Sequence, residues 1–203
     1  MRIDFSTMKP RDIYHWMTST IMPRPIAWVS TVSAEGKTNL APFSFFQGIS
    51  SAPPILMFVP ANNRDGGRKH TLLNIEQVPE FVVNLVPHVL AEKMNATAAL
   101  LPYGESEFDA FGIAALPSES VRPPRVDGAP VAFECKLHSI VPMGEGPQAA
   151  NVVFGLIQLM HIVDEAVEHG AYADPAKLDL VGRMGGELYV RTHDTFAIKR
   201  PDR

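Results

Sequence analysis

A basic, glycine-containing segment, residues 62–71, has the residue types best suited to chemistry. It precedes a helical pattern that Thr71 is placed to cap. Free N–H groups and the positive dipole end of a helix start, next to cationic side chains, bind phosphate groups. The pattern favours a phosphate site, and a solvated basic loop is the alternative. The cationic side chains here are Arg64, Arg68, Lys69 and His70.

Motifs for other chemistries are missing from the sequence. Gly144 and Gly146 lack the third glycine and the following helix of a dinucleotide-binding turn, and there is no P-loop. The seven histidines show no paired metal-ligand spacing, so we expect no metal site. Only His161, at the end of an apolar run, is a candidate for a role at a pocket. Ser30 and Ser44 lack the glycine pattern of a hydrolase nucleophile.

The elements that must position the basic segment come just before it. Prolines on both sides of Arg24 exclude a helix there, and the β-branched and aromatic residues that follow predict a strand. Residues 33–37 predict a hairpin turn, followed by a return run over 39–46 and a third apolar run over 55–59. Four aromatic side chains of these runs are expected in the core: Trp28, Phe43, Phe46 and Phe58.

The remaining sequence predicts more strands than helices. Residues 1–22 indicate a short helix or an arm, packed on the body of the protein or on a second subunit. The other predicted elements are a helix from Thr71 to Pro79, a helix over 89–99, and strands over 81–86, 131–143, 151–163 and 195–198. Many short strands with few helices favour a mainly β fold, an antiparallel barrel, over an alternating βαβ sheet.

Residues 101–130 form a loop-rich excursion from this pattern, punctuated by proline and glycine. A helical turn is predicted over 106–111. Tyr103, Phe108 and Phe111 indicate that the excursion packs against the rest of the protein. Such a segment is suited to form the wall of a pocket.

Composition and charge bound the class of protein. The chain has 203 residues, of which 46% are hydrophobic and 20% charged, and we expect one globular domain over residues 1–203. The formal net charge of −4 gives no electrostatic reason to bind nucleic acid or an anionic membrane. Cys135 is the single cysteine, which suits a reducing compartment. No secretory signal or membrane span is predicted, so we expect a cytoplasmic protein.

In their order and spacing, these segments resemble the flavin reductase-like family of FMN-binding split-barrel proteins, which includes the flavoredoxins. The likeness covers most of the chain from about Pro23 onward and is weak between about 100 and 131. His70 departs from the family pattern, because many relatives have an aspartate at this position. The histidine keeps the position polar and adds positive charge. The matching pieces are residues 23–25, 30–31, 39–45, 53–54, 80–85, 182–189 and 198–201, with Gly36, Lys69, Thr71 and Asn74.

The resemblance implies a set of FMN contacts. An isoalloxazine ring needs an apolar slot with a few hydrogen-bonding groups, and its phosphate needs cations and backbone donors. Two further residues, Arg183 and Tyr189, are implied to reach the flavin across a dimer interface. The other implied contacts are Arg24, Pro25, Ile26, Ser30, Thr31, Asn39, Ala41, Ser44, Phe45, Ser50, Lys69, His70 and Thr71.

The resemblance also implies a split β-barrel homodimer that binds FMN non-covalently. The implied reaction is hydride transfer from NADH or NADPH to FMN, with electrons passed on to a downstream acceptor or monooxygenase. No residue is assigned as a catalytic acid or base, because the flavin carries the chemistry. Three alternatives remain open. The first is a flavoredoxin-like electron carrier that does not oxidise a nicotinamide, and the second is a non-catalytic flavin-binding or interaction protein. The third is a related split-barrel oxidase or an enzyme that uses another substrate beside the flavin.

Overall fold

The computed structural model describes residues 1–170 and 172–201. Five α-helices lie in these ranges, together with three short 3₁₀ turns and fourteen strands. The helices are α1 (Pro10–Thr20), α2 (His70–Gln77), α3 (Ala91–Ala96), α4 (Glu107–Ala110) and α5 (Pro175–Leu178). The strands are β1 (Arg24–Pro25), β2 (Ala27–Val32), β3 (Thr38–Phe43), β4 (Phe46–Ser51), β5 (Pro54–Phe58), β6 (Glu80–Leu85), β7 (Ala115–Leu116), β8 (Arg125–Val126), β9 (Val131–Met143), β10 (Ala150–Ile162), β11 (Val167–Glu168), β12 (Tyr172–Ala173), β13 (Val181–Arg183) and β14 (Tyr189–Arg191).

Seven strands form one large antiparallel sheet in the order β3-β2-β6-β9-β10-β5-β4. In its register, Val29 of β2 lies opposite Ala41 of β3 and Val83 of β6. The β2–β3 hairpin turns at Gly36, whose φ of +81° is readily adopted only by glycine. Smaller sheets pair β1 with β13 and β14, β7 with β8, and β11 with β12. The mainly β, split-barrel architecture with a few short helices is therefore confirmed.

Side chains that alternate along β2 enter two different cores, because successive residues of a strand point to opposite faces. Ala27 and Val29 belong to the inner core, where Phe58 and Phe81 are fully buried. Helix α2 covers this core with Leu72 and Ile75. Of the four aromatic residues expected in the core, Trp28, Phe43 and Phe58 are buried, and Phe46 packs against the inner core while partly exposed.

The outer face of β2 carries a second core, built largely by the excursion. Trp28 packs there with Met94 of α3 and with Phe108 and Ile113. The Trp28 indole N–H donates a 2.9 Å hydrogen bond to the hydroxyl of Thr97. The aromatic residues of the excursion were expected to pack on the body of the protein, and Phe108 and Phe111 do so.

Two local expectations are wrong, and one helix is shorter than expected. Residues 195–198 form no strand, and Phe196 and Ile198 are 85% and 79% exposed. Within the described residues, β14 is the last strand. The helix expected over 89–99 is a 3₁₀ turn followed by the shorter α3. Helix α2 begins at His70 with Lys69 as its N-cap residue, because the Thr71 hydroxyl is bonded inside the fold instead. The return strand predicted over 39–46 ends three residues early, because β3 ends at Phe43 and Phe46 begins β4. The other predicted strands and the helical turn agree with the structure to within about two residues.

Candidate functional site

A cleft with a volume of about 120 Å³ opens beside the edge strand β3. Three parts of the chain enclose it: β3, the segment around the start of α2, and the end of α3 with the excursion. The excursion therefore forms a wall of a pocket, as its composition indicated. The lining residues are Asn39, Ala41, Pro42, Phe43, Asn63, Lys69, His70, Thr71, residues 97–101 and Glu107.

The start of α2 makes one end of the cleft basic. Lys69 and His70 are partly buried, and neither belongs to an ion pair among the described residues. Burial lowers the pKa of Lys69, which the charge of Asp65 partly offsets. Burial and the charge of Lys69 lower the pKa of His70. The Lys69 ammonium therefore has no paired carboxylate among the described residues, and a bound anion would stabilise its charge and favour the protonated form of His70.

The backbone at this end adds donors. Lys69 has an extended conformation, and no side chain of the described residues caps the first turn of α2. The N–H groups of Leu72 and Leu73 are bonded to the Lys69 carbonyl. The groups that come before them in the chain are at the positive end of the helix dipole, where an anion is stabilised.

Two buried hydrogen bonds hold the basic end against the sheet. The Asn39 amide donates to the Thr71 hydroxyl over 3.1 Å. One turn further along α2, the Asn74 amide donates to the Thr31 hydroxyl over 3.0 Å, and its oxygen accepts a 3.0 Å bond from Tyr103. The first turn of α2 is thus fixed relative to β2 and β3.

One polar atom at the cleft lacks a partner. The side-chain oxygen Oδ1 of Asn63 is buried and has no hydrogen-bond partner among the described residues. A buried acceptor left unpaired is destabilising by about 1–3 kcal/mol. Asn63 lines the cleft together with Lys69 and His70, so a ligand that carries a hydroxyl group would satisfy it.

Glu107 places a carboxylate in the opposite wall. It is 4% exposed, and its Oε2 accepts a 2.8 Å hydrogen bond from the N–H of Leu40 on the edge strand β3. Burial raises the pKa of Glu107, and the bond from Leu40 offsets part of that rise. Because Leu40 would otherwise present an unpaired N–H at the sheet edge, Glu107 protects this edge.

The predicted contacts Asn39, Ala41, Lys69, His70 and Thr71 lie together on the cleft. Of the other predicted cations, Arg68 forms an ion pair with Glu76 of α2 instead. Ser50 is exposed on β4, and its hydroxyl accepts a 3.2 Å bond from the N–H of Ala52.

Arg24 is 5% exposed, and carbonyl groups take up its guanidinium. It donates to Thr18 and Ile21 at the end of α1, and over 3.0 Å to Met184. Its Nε lies 3.4 Å from the Ser44 hydroxyl. Arg24 therefore joins α1, β1 and the segment after β13.

Other residues predicted to contact the flavin are placed near β2 and its ends. Ser30 is fully buried and donates to the Pro124 carbonyl, and Thr31 is bonded to Asn74. Ile26 belongs to the outer core, whereas Pro25 is exposed. Phe45 is partly buried with its ring 6.3 Å from that of Tyr14 on α1.

Arg183 and Tyr189 lie on the β13–β14 hairpin, outside the cleft lining. The guanidinium of Arg183 is 4.6 Å from the centre of the Tyr189 ring and donates to the Gly186 carbonyl. The Tyr189 hydroxyl donates to Asn95 over 3.1 Å. The single chain does not bring this pair to the cleft, and their role at a flavin stays a prediction.

The candidate His161 does not line the cleft. Its Nε2 donates a 2.7 Å hydrogen bond to the fully buried carboxylate of Glu134. Glu134 also accepts bonds from the N–H groups of Glu119 and Ser120 and from the Ser120 hydroxyl. Burial alone would raise the pKa of Glu134, but these bonds outweigh it and lower the pKa to about 2. The cluster fastens the excursion onto β9 and β10.

Sequence reasoning missed Asn63, residues 97–101, Tyr103 and Glu107 as parts of the site. Asn63 lies within the basic segment, next to Arg64, and was recognisable from that position. The others lie far along the chain from β3 and reach it only through packing of the outer core, which no local pattern reveals.

In the described part of the chain, no group of three or more His, Cys, Asp or Glu residues is arranged to hold a metal ion. No helix there is long and apolar enough to cross a membrane.

Comparison with protein families gives a match to the flavin reductase like domain over residues 17–176. An uncharacterized protein from Deinococcus radiodurans is 40% identical over 203 residues, which is 97% of this chain and 88% of that one.

Two solved structures show the same fold at recognisable sequence identity. Nitrilotriacetate monooxygenase component B from Bacillus cereus is 30% identical, with a TM-score of 0.92 and coverage of 98% of both chains. The 2-nitrobenzoate 2-nitroreductase of Pseudomonas fluorescens is 31% identical, with a TM-score of 0.87 over 99% of this chain and 96% of that one.

Proposed function

The chain belongs to the flavin reductase-like family, and on that premise we propose that it binds FMN non-covalently and reduces it with NADH or NADPH. The observation that carries the proposal is the basic end of the cleft. Lys69 and His70 meet there at an uncapped helix start without an ion-paired carboxylate among the described residues. A phosphate group supplies the missing negative charge.

The residues at the cleft fit the parts of FMN near its phosphate. Lys69, His70 and the first N–H groups of α2 suit the phosphate itself. The unpaired Oδ1 of Asn63 suits a hydroxyl of the ribityl chain, which is a hydrogen-bond donor. The remaining predicted contacts, from Arg24 to Ser50, are proposed to act on the ring system directly or by supporting β2 and β3.

When bound, FMN supplies a redox centre that accepts a hydride from a nicotinamide. The protein contributes position and electrostatics. Lys69 and His70 hold the phosphate, the Asn39–Thr71 bond keeps the helix start against β3, and Glu107 keeps the edge of β3 closed. The rate of hydride transfer then depends on how closely the nicotinamide approaches the flavin.

We propose a homodimer. The cleft of about 120 Å³ is smaller than the roughly 300–1,000 Å³ typical of sites for small molecules, so a second copy is needed to enclose the ring system. Apolar side chains that are available for such an interface include Ile49, Val141, Met143 and Met160, each exposed by 39% or more. The predicted contacts Arg183 and Tyr189 are proposed to act from that second copy.

The electron acceptor and the cellular context are further parts of the proposal. A solved relative is named as a component of a monooxygenase, which supports transfer of reduced flavin to a partner oxygenase. We propose a single domain over residues 1–203 and a cytoplasmic location, which the single buried cysteine supports.

An anaerobic absorption experiment tests the reaction. The protein is loaded with FMN, desalted, and its visible spectrum is recorded before and after NADH or NADPH is added. Bleaching of a retained flavin spectrum is the expected result. A flavin spectrum that persists with both donors would exclude the reductase and favour an electron carrier. If the protein retains no flavin, steady-state oxidation of NADH with excess FMN replaces the spectrum as the readout, and no turnover would contradict the proposal.

A further inference from the structure

Tyr103 lines a small gap that lies next to the cleft and next to a larger space outside it. That space, the outer groove, has a volume of about 580 Å³ and lies between the β2–β3 turn and the start of α4. The small gap, of about 10 Å³, lies between the cleft and the groove. It shares Asn39 and His70 with the cleft, and Lys37 and Glu105 with the groove. A space of this size holds at most one water molecule.

The side chain of Tyr103 lines this gap and is anchored at its far end. Its hydroxyl donates a 3.0 Å hydrogen bond to Oδ1 of Asn74, which is 2% exposed. Its ring meets the His70 ring edge to face, with the centres 5.1 Å apart and an angle of 76°. Asn74 is itself bonded to Thr31 of β2. Tyr103 thus stands directly against one of the two basic residues of the cleft.

The outer groove differs from the cleft in charge. Glu105 and Asp109 line it with only Lys37 as a cation, whereas Lys69 and His70 mark the adjacent end of the cleft. A ligand that ends in a phosphate monoester keeps its charge in the cleft. A ligand that continues through a pyrophosphate must pass Tyr103 and place further negative charge beside two carboxylates, which repel it.

We propose that Tyr103 is a specificity-determining residue that closes the phosphate end of the cleft, so that the site accepts FMN and rejects the flavin dinucleotide FAD. The inference rests on the proposed function, because it takes the flavin phosphate to lie at Lys69 and His70. The groove volume is within the range of sites for small molecules. Removal of the Tyr103 ring therefore opens space for the adenylate half of FAD.

Flavin fluorescence titrations with riboflavin, FMN and FAD test this specificity in three proteins: wild type, Y103F and Y103A. For the wild type, we expect FMN to bind more tightly than riboflavin and at least about tenfold more tightly than FAD. Y103F keeps the ring and should keep this preference. Y103A should reduce the FMN/FAD affinity ratio by about tenfold or more, mainly through tighter binding of FAD.

The outcomes distinguish the two proposals. Equal affinity of the wild type for FMN and riboflavin would overturn the phosphate site, and the role of Tyr103 with it. Tighter binding of FMN than of riboflavin, with FAD bound as well as FMN, would overturn the role of Tyr103 alone. The role of Tyr103 would also be overturned if the wild type bound FAD weakly and Y103A bound it equally weakly. The wild-type FMN/FAD ratio does not require a variant to fold. Because the Tyr103 side chain is 47% exposed in the wild type, we expect Y103A to fold, and thermal melts measure this.

Discussion

The side-chain amide of Asn39 donates a hydrogen bond of 3.1 Å to the hydroxyl of Thr71. Asn39 lies on the edge strand β3 and Thr71 in the first turn of α2, so this bond joins two walls of the cleft. Asn39 is 6% exposed and Thr71 1% exposed. Water therefore cannot replace either partner, and the bond fixes the basic end of the cleft relative to the sheet.

Thr71→Val keeps the shape of the side chain but removes the hydroxyl. The Asn39 amide is then left unpaired, so the free energy of unfolding should fall by about 1–3 kcal/mol. The affinity for FMN should also fall, although Lys69 and His70 are unchanged. Urea denaturation and FMN titration measure the two effects. Thr71→Ser, which keeps the hydroxyl, is the matched control; a Val variant as stable as the Ser variant would contradict this role.

The pKa of His70 is lowered by burial and by Lys69, so a dianionic phosphate should favour its protonated form and raise its pKa again. Binding of FMN then takes up a proton, and the affinity of the wild type should increase as the pH falls from about 8 to 6.5. His70→Asn should lose this gain. Isothermal titration at several pH values measures it.

The titration of the FMN phosphate itself, which has a pKa of about 6, is common to both proteins and cancels in their comparison. Riboflavin, which lacks a phosphate, should show no difference in pH dependence between wild type and His70→Asn. An identical pH dependence of FMN binding in the two proteins would show that His70 does not face the phosphate.

Arg24→Lys tests whether Arg24 supports the fold or the ligand. An ammonium group cannot bond the carbonyls of Thr18, Ile21 and Met184 at once in the geometry of a guanidinium. We expect a loss of about 2 kcal/mol or more in the free energy of unfolding, with an unchanged ratio of FMN to riboflavin affinity. Thermal melts and titrations measure both. A stable variant with a changed ratio would assign Arg24 to the flavin phosphate.

Glu134 should make stability depend on acid pH. Its pKa of about 2 in the folded protein lies below the ordinary value of 4.5. A lowered pKa adds stability above pH 4.5, and this stability is lost as the pH falls from about 4.5 toward 2. The difference corresponds to about 3 kcal/mol. Glu134→Gln should be less stable than the wild type at pH 7 and show a weaker acid dependence.

Urea denaturation at pH 7, 4.5 and 3 measures the effect of Glu134. Glu119→Gln is the control. The Glu119 side chain is 70% exposed and lies 3.9 Å from Nδ1 of His161, and loss of such an exposed ion pair should change stability by less than about 1 kcal/mol. Equal losses in the two variants would show that the Glu134 cluster does not fasten the excursion.

The strands were predictable from sequence because their side chains alternate between two buried faces. The bounds of β9 agree with the prediction, and those of β10 differ by one residue at each end. The strand predicted over 195–198 is wrong, because a strand also needs a partner strand and β14 is the last strand of its small sheet. Pattern predicts the tendency to form a strand, and only tertiary structure supplies the neighbour.

The candidate site was predictable to the extent that it is local. Lys69, His70 and Thr71 are consecutive, and a helix start with cations has a recognisable pattern. Tyr103 and Glu107 reach the site only because Phe108 and Ile113 pack the excursion onto Trp28. The hydrogen-bond partner of a hydroxyl group in a barrel strand also cannot be predicted from the sequence. Ser30, for example, donates to the Pro124 carbonyl.

The central claim, that the cleft binds the phosphate of FMN, is tested most directly by the affinities of Lys69→Ala for FMN and riboflavin. Loss of one charged partner should weaken the binding of FMN by about 10- to 100-fold and leave the affinity for riboflavin nearly unchanged. Arg64→Ala, which removes an exposed cation of the same segment that does not line the cleft, should change neither affinity by more than about threefold. If Lys69→Ala lost affinity for FMN and for riboflavin by the same factor, the placement of the phosphate at the start of α2 would be contradicted.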